Sequence, residues 1–324
     1  MGTTSAHRYN LPQLSGSLFL TEGGIGTTLI HKVGVDLPHF ATYALLQTEA
    51  GTALLRHCFA PYFETARRHD AGIIVDSNTW RASRDWGDRL GYSKPALAEA
   101  NHKAIRLLED FRSEYQTPMT PVVISACMGP RGSAYSASTR MTLAEALAYH
   151  REQVETLAGT TADVISAMTM NDPVEAAAIA LAAREFDMPA VVSFTVETDG
   201  RLITGATLAE AVRFVDDATD GYPAYYMLNC AHVTHFEQAL AEGGQWVGRL
   251  RGLRSNSSAR SHAELDEAST LDEGDPETLG RQYRALLARF PHINIVGGCC
   301  GTDERHASCI ARSCGATHST PTNR

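Results

Sequence analysis

The chain has 324 residues, a hydrophobic fraction of 44% and a formal net charge of −9, and its basic residues are scattered, which argues against nucleic acid or an anionic membrane as the main partner. No apolar run approaches the roughly 20 residues of a membrane span, and residues 1–13 lack the apolar core of a signal sequence. Seven cysteines without regular spacing favour a reducing compartment, so we expect a cytoplasmic protein without a disulfide framework.

Short apolar runs alternate with longer amphipathic segments along the chain, which is the pattern of βα units around a parallel sheet. Strands are predicted at residues 17–22, 72–78, 121–128, 163–169, 190–196, 224–230, 245–253 and 292–299. Helices are predicted at residues 41–69, 94–115, 143–159, 173–186, 208–218 and 277–289. The strand count is the one that a closed (β/α)8 barrel requires, and such a barrel commonly forms one domain of this length.

A doubly wound open sheet is the structural alternative, but it usually has fewer strands and a glycine-rich phosphate turn after the first strand. The glycine-rich turn that begins at Glu22 lacks the third glycine at the dinucleotide-binding spacing. We therefore favour a single-domain α/β barrel over residues 17–314. Residues 1–16 are an N-terminal extension, and residues 315–324 are expected to form a poorly ordered tail.

Residues 254–276 interrupt the alternation, because they are rich in Ser, Asp and Glu and have little apolar periodicity. They follow the seventh predicted strand, on the face where barrel enzymes build their active sites. Two interpretations stay open for this insertion: it is a mobile surface loop, or it is functional, as a lid or as an oligomer contact. The sequence therefore leaves assembly into a homo-oligomer open as well.

The strongest chemical signal is the pair Cys299 and Cys300 at the end of the eighth predicted strand. Two glycines precede the pair, and a third follows it. Adjacent side chains of a regular strand point to opposite faces, but flanking glycines free the backbone to turn so that both sulfurs converge. A vicinal disulfide is the poorer interpretation, since its geometry is strained. Cys230 closes the sixth strand, so all the sulfurs are expected at the carboxyl ends of near-neighbour strands. Burial of three separate cysteines in the core is the structural alternative.

Three sulfurs with one open coordination position are typical of a catalytic zinc site rather than a structural one. Zinc in such a site deprotonates a fourth thiol and presents a nucleophilic thiolate at neutral pH. The natural reaction of this thiolate is in-line displacement at an activated methyl group, on a sulfonium or a quaternary ammonium. The cysteines therefore predict a zinc-dependent thiol S-methyltransferase that needs no Ser-His-Asp arrangement.

These motifs resemble the homocysteine S-methyltransferase family, which includes the betaine–homocysteine and S-methylmethionine–homocysteine methyltransferases. The resemblance spans roughly residues 18–309 and rests on Asn229-Cys230 and on the Gly-Gly-Cys-Cys-Gly run of residues 297–301. It implies a (β/α)8 barrel with zinc ligands at Cys230, Cys299 and Cys300. The substrate-binding residues that it implies are Glu22, Gly23, Gly24, Thr27, Asn78, Met168, Thr169 and Asn229.

Two positions depart from the family pattern. The first-strand motif of the family usually begins with Asp, where this chain has Glu22. Its fourth strand usually ends in Phe-Glu-Thr, whose Glu binds the amino group of homocysteine, and this chain has Met168 in place of that Glu. Methionine offers no useful acceptor to an ammonium group, and a buried cation without its partner costs about 3–5 kcal/mol. Either the longer Glu22 reaches the amine, or the acceptor is not an α-amino acid thiol in the usual pose.

The resemblance implies an enzyme that transfers a methyl group from S-methylmethionine or S-adenosylmethionine to L-homocysteine and gives methionine. Three alternatives stay open. In the first, the acceptor is another small thiol. In the second, the donor is betaine or a corrinoid protein, and in the third, the chain is a zinc or thiol sensor without turnover.

Other side chains near the predicted strand ends are weaker candidates. The glycine turn after Glu22 is a candidate donor of N–H groups to a substrate carboxylate, with a tight βα turn as the alternative. Trp80, Arg81 and Trp86 are candidates for a cation–π pocket around a cationic donor, with simple packing as the alternative. His232 and His235 follow Cys230 closely and are further candidates for a position near the zinc.

Overall fold

The strands close into a barrel in chain order, and every strand is parallel to its two neighbours. A computed structural model describes residues 5–136 and 140–315, so residues 316–324 of the predicted tail lie outside it. The strands are β1 Phe19–Thr21, β2 Gly72–Asp76, β3 Val122–Met128, β4 Val164–Met170, β5 Ala190–Phe194, β6 Tyr225–Asn229, β7 Leu250–Ser255 and β8 Ile295–Gly298. The predicted (β/α)8 barrel is confirmed, and the doubly wound alternative is wrong.

Helices cover the outside of the barrel and fill several of the loops. They are α1 Ile25–Thr28, α2 Glu49–Arg68, α3 Arg84–Arg89, α4 Lys94–Tyr115, α5 Leu143–Ala158, α6 Pro173–Glu185, α7 Leu208–Thr219, α8 Val233–Glu242, α9 His262–Asp266, α10 Pro276–Arg289 and α11 Glu304–Gly315. Short 3₁₀ segments occur at Pro12–Ser15, Pro38–Phe40, Thr42–Gln47 and Gln245–Arg249, and a π-turn occurs at Leu29–Val33. Among the described helices, none is both long enough and apolar enough to cross a membrane.

Two predicted elements are wrong in part. The helix predicted over residues 41–69 is interrupted at Thr48, whose backbone is extended (φ −127°, ψ 152°) and whose side chain accepts the Gly51 N–H at the start of α2. The strand predicted over residues 245–253 begins only at Leu250. Two positive-φ glycines precede Trp246, whose indole N–H donates to the Gly243 carbonyl at 3.1 Å, so the chain turns there before it enters the barrel.

The core has two layers that follow the alternation of side chains along the strands. Outward-facing residues such as Ile73 and Val192 pack against the helices, while inward-facing residues such as Phe19 and Val123 fill the barrel with Leu11 of the N-terminal segment. That segment lies against the amino ends of the strands, where the Asn294 side chain donates to the Gln13 carbonyl at 2.8 Å. Described residues 5–16 of the predicted extension therefore pack on the stability face of the barrel, opposite the carboxyl ends.

One buried carboxylate ties together several elements at the amino end of the barrel. Asp163, at the start of β4, is fully buried, accepts the backbone N–H groups of Ile124 and His7 at 2.8 Å each, and forms an ion pair with Arg112 of α4. Its removal leaves a guanidinium and two N–H groups without their partner.

We expect Asp163→Ala to lower the free energy of unfolding by about 3–5 kcal/mol, because it breaks a buried and fully hydrogen-bonded charge pair. Urea denaturation followed by circular dichroism measures this change. The matched control is Asp110→Ala, which removes an exposed carboxylate 3.5 Å from Arg56 and should cost less than about 1 kcal/mol. Equal losses in the two variants would contradict the role of Asp163.

Candidate active site

The carboxyl ends of the strands surround a cavity of about 510 Å³. All the predicted zinc ligands and substrate-binding residues contribute to its wall: Glu22, Gly23, Gly24, Thr27, Asn78, Met168, Thr169, Asn229, Cys230, Cys299 and Cys300. These residues come from the ends of strands that are far apart in the chain, which is how a barrel assembles an active site.

The three predicted cysteine ligands meet at one side of this cavity. The sulfurs of Cys230, Cys299 and Cys300 all lie within 4.8 Å of one another. The Cys230 and Cys299 sulfurs are in direct contact, with their Cα atoms 5.4 Å apart, and Cys300 is a free thiol. Disulfide formation and metal binding are mutually exclusive states of the same sulfurs, since a metal needs both as thiolates.

Backbone turns bring the sulfurs together. Cys230 has a left-handed conformation (φ 55°), and its N–H donates to the Arg254 carbonyl at 3.1 Å. Its own carbonyl accepts the Asn256 side-chain amide at 3.0 Å and lies 2.6 Å from the His262 Nε2 atom. After β8, the Cys299 N–H donates to the Ser255 carbonyl at 2.9 Å. The end of β7 and the loop after it therefore hold both cysteine turns.

The glycine turn after β1 packs directly on the cysteine turn. A Cβ atom at Gly24 would lie 2.6 Å from the Cys299 carbonyl oxygen, so only glycine fits there. The Gly24 N–H donates to the Thr302 carbonyl and the Ile25 N–H to the Gly23 carbonyl, both at 2.9 Å. The N–H groups of Gly24 and Ile25, which were predicted as candidate donors to a substrate carboxylate, therefore form hydrogen bonds within the protein.

Asn229 connects the strands next to the cysteines. Its Oδ1 atom accepts the Thr169 N–H at 2.9 Å and the Ser193 hydroxyl at 2.6 Å. Its Nδ2 atom donates to the Thr169 hydroxyl at 2.8 Å and lies 3.9 Å from the Cys299 sulfur. Thr169 has a left-handed backbone (φ 60°), a conformation that non-glycine residues keep only when their surroundings hold it. Asn229 supplies that support.

A buried charge cluster lies beside the cysteines, and the sequence did not reveal it. Arg254 is 7% exposed. Its Nη2 atom lies 2.5 Å from Glu22 Oε1, and its Nη1 atom forms an ion pair with Asp76. Glu22 Oε2 accepts the Asp76 N–H at 3.3 Å, and burial raises the pKa of Glu22 to about 7 against the opposing effect of Arg254. Both Glu22 oxygens have partners, so this geometry does not favour Glu22 as the group that replaces the family glutamate.

Met168, at the position predicted to replace the family glutamate, lies in the wall of the cavity. It is 4% exposed, and its carbonyl accepts the Trp80 indole N–H at 3.2 Å. The Arg81 guanidinium lies between Trp80 and Trp86, 3.9 and 4.0 Å from their ring centres. Both rings therefore make cation–π contacts with Arg81 of the protein itself, and the predicted pocket around a cationic donor stays a prediction.

The polar segment of residues 254–276 forms part of the cavity wall. Its residues in the wall are Arg254, Asn256, Ser257, Ser258, His262, Leu265, Asp266, Ala268, Thr270, Leu271 and Asp272. This placement favours the interpretation of the segment as a lid over that of a peripheral loop. The segment lies at the carboxyl end of β7, and that position is the signal by which His262 and Asp266 could have been found.

Two candidate histidines have structural roles instead. His232 caps α8, where its Nδ1 atom accepts the Thr234 N–H at 3.3 Å, and His235 Nε2 lies 2.9 Å from the Ala259 carbonyl. Neither residue lies in the wall of the cavity as the described residues form it. Cys127 does lie there, and burial raises the pKa of its thiol well above the ordinary range.

We expect Arg254→Met to lower the free energy of unfolding by about 3–5 kcal/mol, because two buried carboxylates lose their shared cation. Chemical denaturation at neutral pH measures the loss. Arg251→Met is the control, since Arg251 lies on the same strand and donates only to the His292 carbonyl, at 3.2 Å. A loss of less than about 1 kcal/mol for Arg254→Met would show that the cluster does not stabilise the barrel.

Comparison with known proteins agrees with this site. The family described as homocysteine S-methyltransferase matches residues 19–314. A selenocysteine Se-methyltransferase from Brassica oleracea var. italica is 23% identical, over 93% of this chain and 91% of its own length.

Solved structures show the same fold. The homocysteine methyltransferase MmuM from Escherichia coli superposes in its oxidized form with a TM-score of 0.72 at 20% identity, over 92% of this chain and 96% of its own. Its metallated form superposes with a TM-score of 0.68 at 19% identity, over the same shares of the two chains. Since the family match extends over nearly the whole barrel and includes the cysteine turns, the chain belongs to the homocysteine S-methyltransferase family and is a methyltransferase.

Proposed function

We propose that this protein is a zinc-dependent enzyme that methylates L-homocysteine to methionine, with a sulfonium such as S-methylmethionine or S-adenosylmethionine as the donor. The observation that carries the proposal is the convergence of the Cys230, Cys299 and Cys300 sulfurs within 4.8 Å at the wall of a large cavity. Membership of the family supports thiol methylation as the reaction class.

The donor set fits zinc. Among the described residues, these cysteines are the only group of three or more His, Cys, Asp or Glu side chains that is close enough to hold a metal, and thiolates favour zinc over magnesium or manganese. Zinc bound there supplies the acidity that turns an incoming thiol into a thiolate at neutral pH. Because zinc binding requires reduced cysteines, we also propose a reducing compartment, the cytoplasm, as the location.

The residues around the cysteines orient the reaction. Asn229 and the Gly24 contact hold the Cys299 turn in place, and Met168 and Leu265 contribute apolar side chains to the cavity wall. The acceptor sulfur forms a bond to the methyl carbon as the carbon–sulfonium bond breaks, and the donor leaves as a neutral thioether. No basic side chain is needed at the methyl carbon, because no proton moves in that step.

We assign the ammonium group of the acceptor to Asp266. Glu22 and Asp76 are paired with Arg254, and Asp272 accepts the Ser258 hydroxyl at 2.7 Å. Asp266 lies in the wall of the cavity and forms no ion pair with any described residue. Asp266 lies close to Cys300. Burial is the largest cause of the raised pKa of the Cys300 thiol, and the charge of Asp266 is the next largest. Its carboxylate is therefore available for a cation beside the cysteines.

We expect Cys299→Ala to lose bound zinc and to lower the rate of methyl transfer by more than the roughly 10- to 100-fold typical of losing a group outside the ligand set. Metal content by mass spectrometry and methionine formation from homocysteine and S-methylmethionine measure the two effects in reduced, zinc-loaded protein. Cys58→Ala is the control, because Cys58 is a half-buried cysteine of α2 outside the cavity. An unchanged rate in Cys299→Ala would end the zinc proposal.

We expect Asp266→Asn to raise the KM for homocysteine roughly 10-fold or more, the effect of losing one charged hydrogen-bonding partner. Met168→Glu should lower that KM, because it returns a carboxylate to the amine position of the family. Glu267→Gln is the control, since Glu267 is an exposed neighbour that does not line the cavity. If neither Asp266→Asn nor Met168→Glu changes the KM, the acceptor is a thiol without a bound ammonium group.

A further inference from the structure

Arg81 is a buried cation in the wall of the cavity. It is 8% exposed, and its guanidinium is held between the rings of Trp80 and Trp86. Buried arginines are ordinarily paired with a carboxylate. Arg81 forms no ion pair with any residue in the described ranges 5–136 and 140–315, and burial lowers its pKa to about 10. The protein therefore places a positive charge at the cavity without neutralising it.

The hydrogen bonds of Arg81 leave Nε and Nη2 without an acceptor among the described residues. Its Nη1 atom donates to the carbonyls of Pro130 at 3.2 Å and Gly132 at 2.9 Å. Its Nε atom is buried without an acceptor, while Nη2, which has no acceptor among the described residues, is not enclosed in the same way. Nε and Nη2 form one of the edges across which a guanidinium binds a carboxylate with two parallel hydrogen bonds.

The other arginine of the cavity wall and two N–H groups of the glycine turn are already used. Arg254, the other arginine of the wall, is paired with Glu22 and Asp76. The N–H groups of Gly24 and Ile25 donate to carbonyls of the protein. Among the described residues of the wall, Arg81 is thus the arginine with donors left for an anionic group of a ligand.

Trp80 connects Arg81 to the cysteine end of the cavity. Its ring centre lies 3.9 Å from the Arg81 guanidinium, and its indole N–H donates to the Met168 carbonyl at 3.2 Å. The next residue, Thr169, donates its N–H to Asn229 Oδ1 at 2.9 Å, and Asn229 Nδ2 lies 3.9 Å from the Cys299 sulfur. Arg81 and the cysteines are therefore joined by a short chain of contacts along one wall of the cavity.

We propose that Arg81, held between Trp80 and Trp86, binds the carboxylate of a substrate in the methyl-transfer cavity. The inference rests on the proposed function, because both the acceptor and the donors named there carry a carboxylate. It also removes an electrostatic conflict. A bare sulfonium would be repelled by Arg81, whereas a donor that carries both a sulfonium and a carboxylate neutralises it.

Two matched pairs of ligands test the proposal on zinc-loaded protein. They are L-homocysteine with its carboxamide and S-methyl-L-methionine with its carboxamide, and each pair differs only in the negative charge. Binding is followed by tryptophan fluorescence, since two of the three tryptophans of the chain contact Arg81. Arg81→Gln should weaken binding of one acid form roughly 10- to 100-fold and leave its amide unchanged. The pair that responds identifies the acceptor or the donor as the source of the carboxylate.

Arg89→Gln is the control, because Arg89 also lies over Trp86, at 4.4 Å, but is exposed and outside the cavity. Arg81→Lys keeps the charge without the planar edge, so it should retain a smaller preference for the acid and serves if Arg81→Gln does not fold. A wild-type ratio of acid to amide affinity in both Arg81 variants would overturn the proposal.

These experiments test binding of a carboxylate separately from methyl transfer. Propionate and propionamide provide a probe that does not assume either substrate, and a preference for propionate that is lost in Arg81→Gln supports the carboxylate site even where no methyl transfer occurs. Absence of methyl transfer in the wild-type protein, with that preference intact, contradicts the proposed function and leaves the site in place. Loss of the preference in Arg89→Gln, with Arg81→Gln unaffected, would contradict the assignment to Arg81.

Discussion

The approach of three cysteine sulfurs to within 4.8 Å of one another is the constraint on which the rest of this site depends. Sulfurs from β6 and β8 meet only because the backbone departs from strand geometry at both places. Cys230 has a left-handed conformation, and the turn after Cys300 passes through Gly301 at φ 79°. The loop after β7 holds both turns, since the Ser257 N–H donates to the Cys300 carbonyl at 3.1 Å and Asn256 donates to that of Cys230. A change in that loop therefore acts directly on the turns that carry the three cysteines.

The charge cluster beside the cysteines limits what the neighbouring acids can do. Arg254 joins β7 to β1 and β2 through Glu22 and Asp76, so these carboxylates are part of the barrel's packing. Loss of one partner from an ion pair this deeply buried destabilises the fold mainly because it leaves an uncompensated charge. Because both carboxylates belong to the scaffold, the proposed function requires another anion for the ammonium group of the acceptor. The assignment of that group to Asp266 would connect the departure from the family at Met168 to the polar loop after β7.

Local sequence patterns predict much of the barrel but only part of the site. Residues 94–115 were predicted as a helix and form α4 with the same bounds, because the apolar period and the cap at Ser93 agree. The cysteine convergence was predictable because Cys299 and Cys300 stand among glycines and Cys230 ends a strand. The pairing of Glu22 with Arg254 was not, since these residues are 232 positions apart and no local pattern records which acid a distant arginine contacts. The Arg81 sandwich was missed for a related reason, because the sequence shows aromatic residues near an arginine but not which of them is the internal partner.

The distribution of charge in the cavity suggests where specificity for the substrates resides. The cysteine end is lined by groups whose hydrogen bonds are already made, such as Asn229 and the Gly24 turn. The charged groups that form no ion pair among the described residues lie around it. They are Asp266 on the loop after β7 and Arg81 on the loop after β2. Loops at the carboxyl face of a barrel change without disturbing the strands beneath them. Under the proposed function, a chain that keeps the cysteines and has Met168 in place of the family glutamate would retain the chemistry of methyl transfer and select its substrates through these loops.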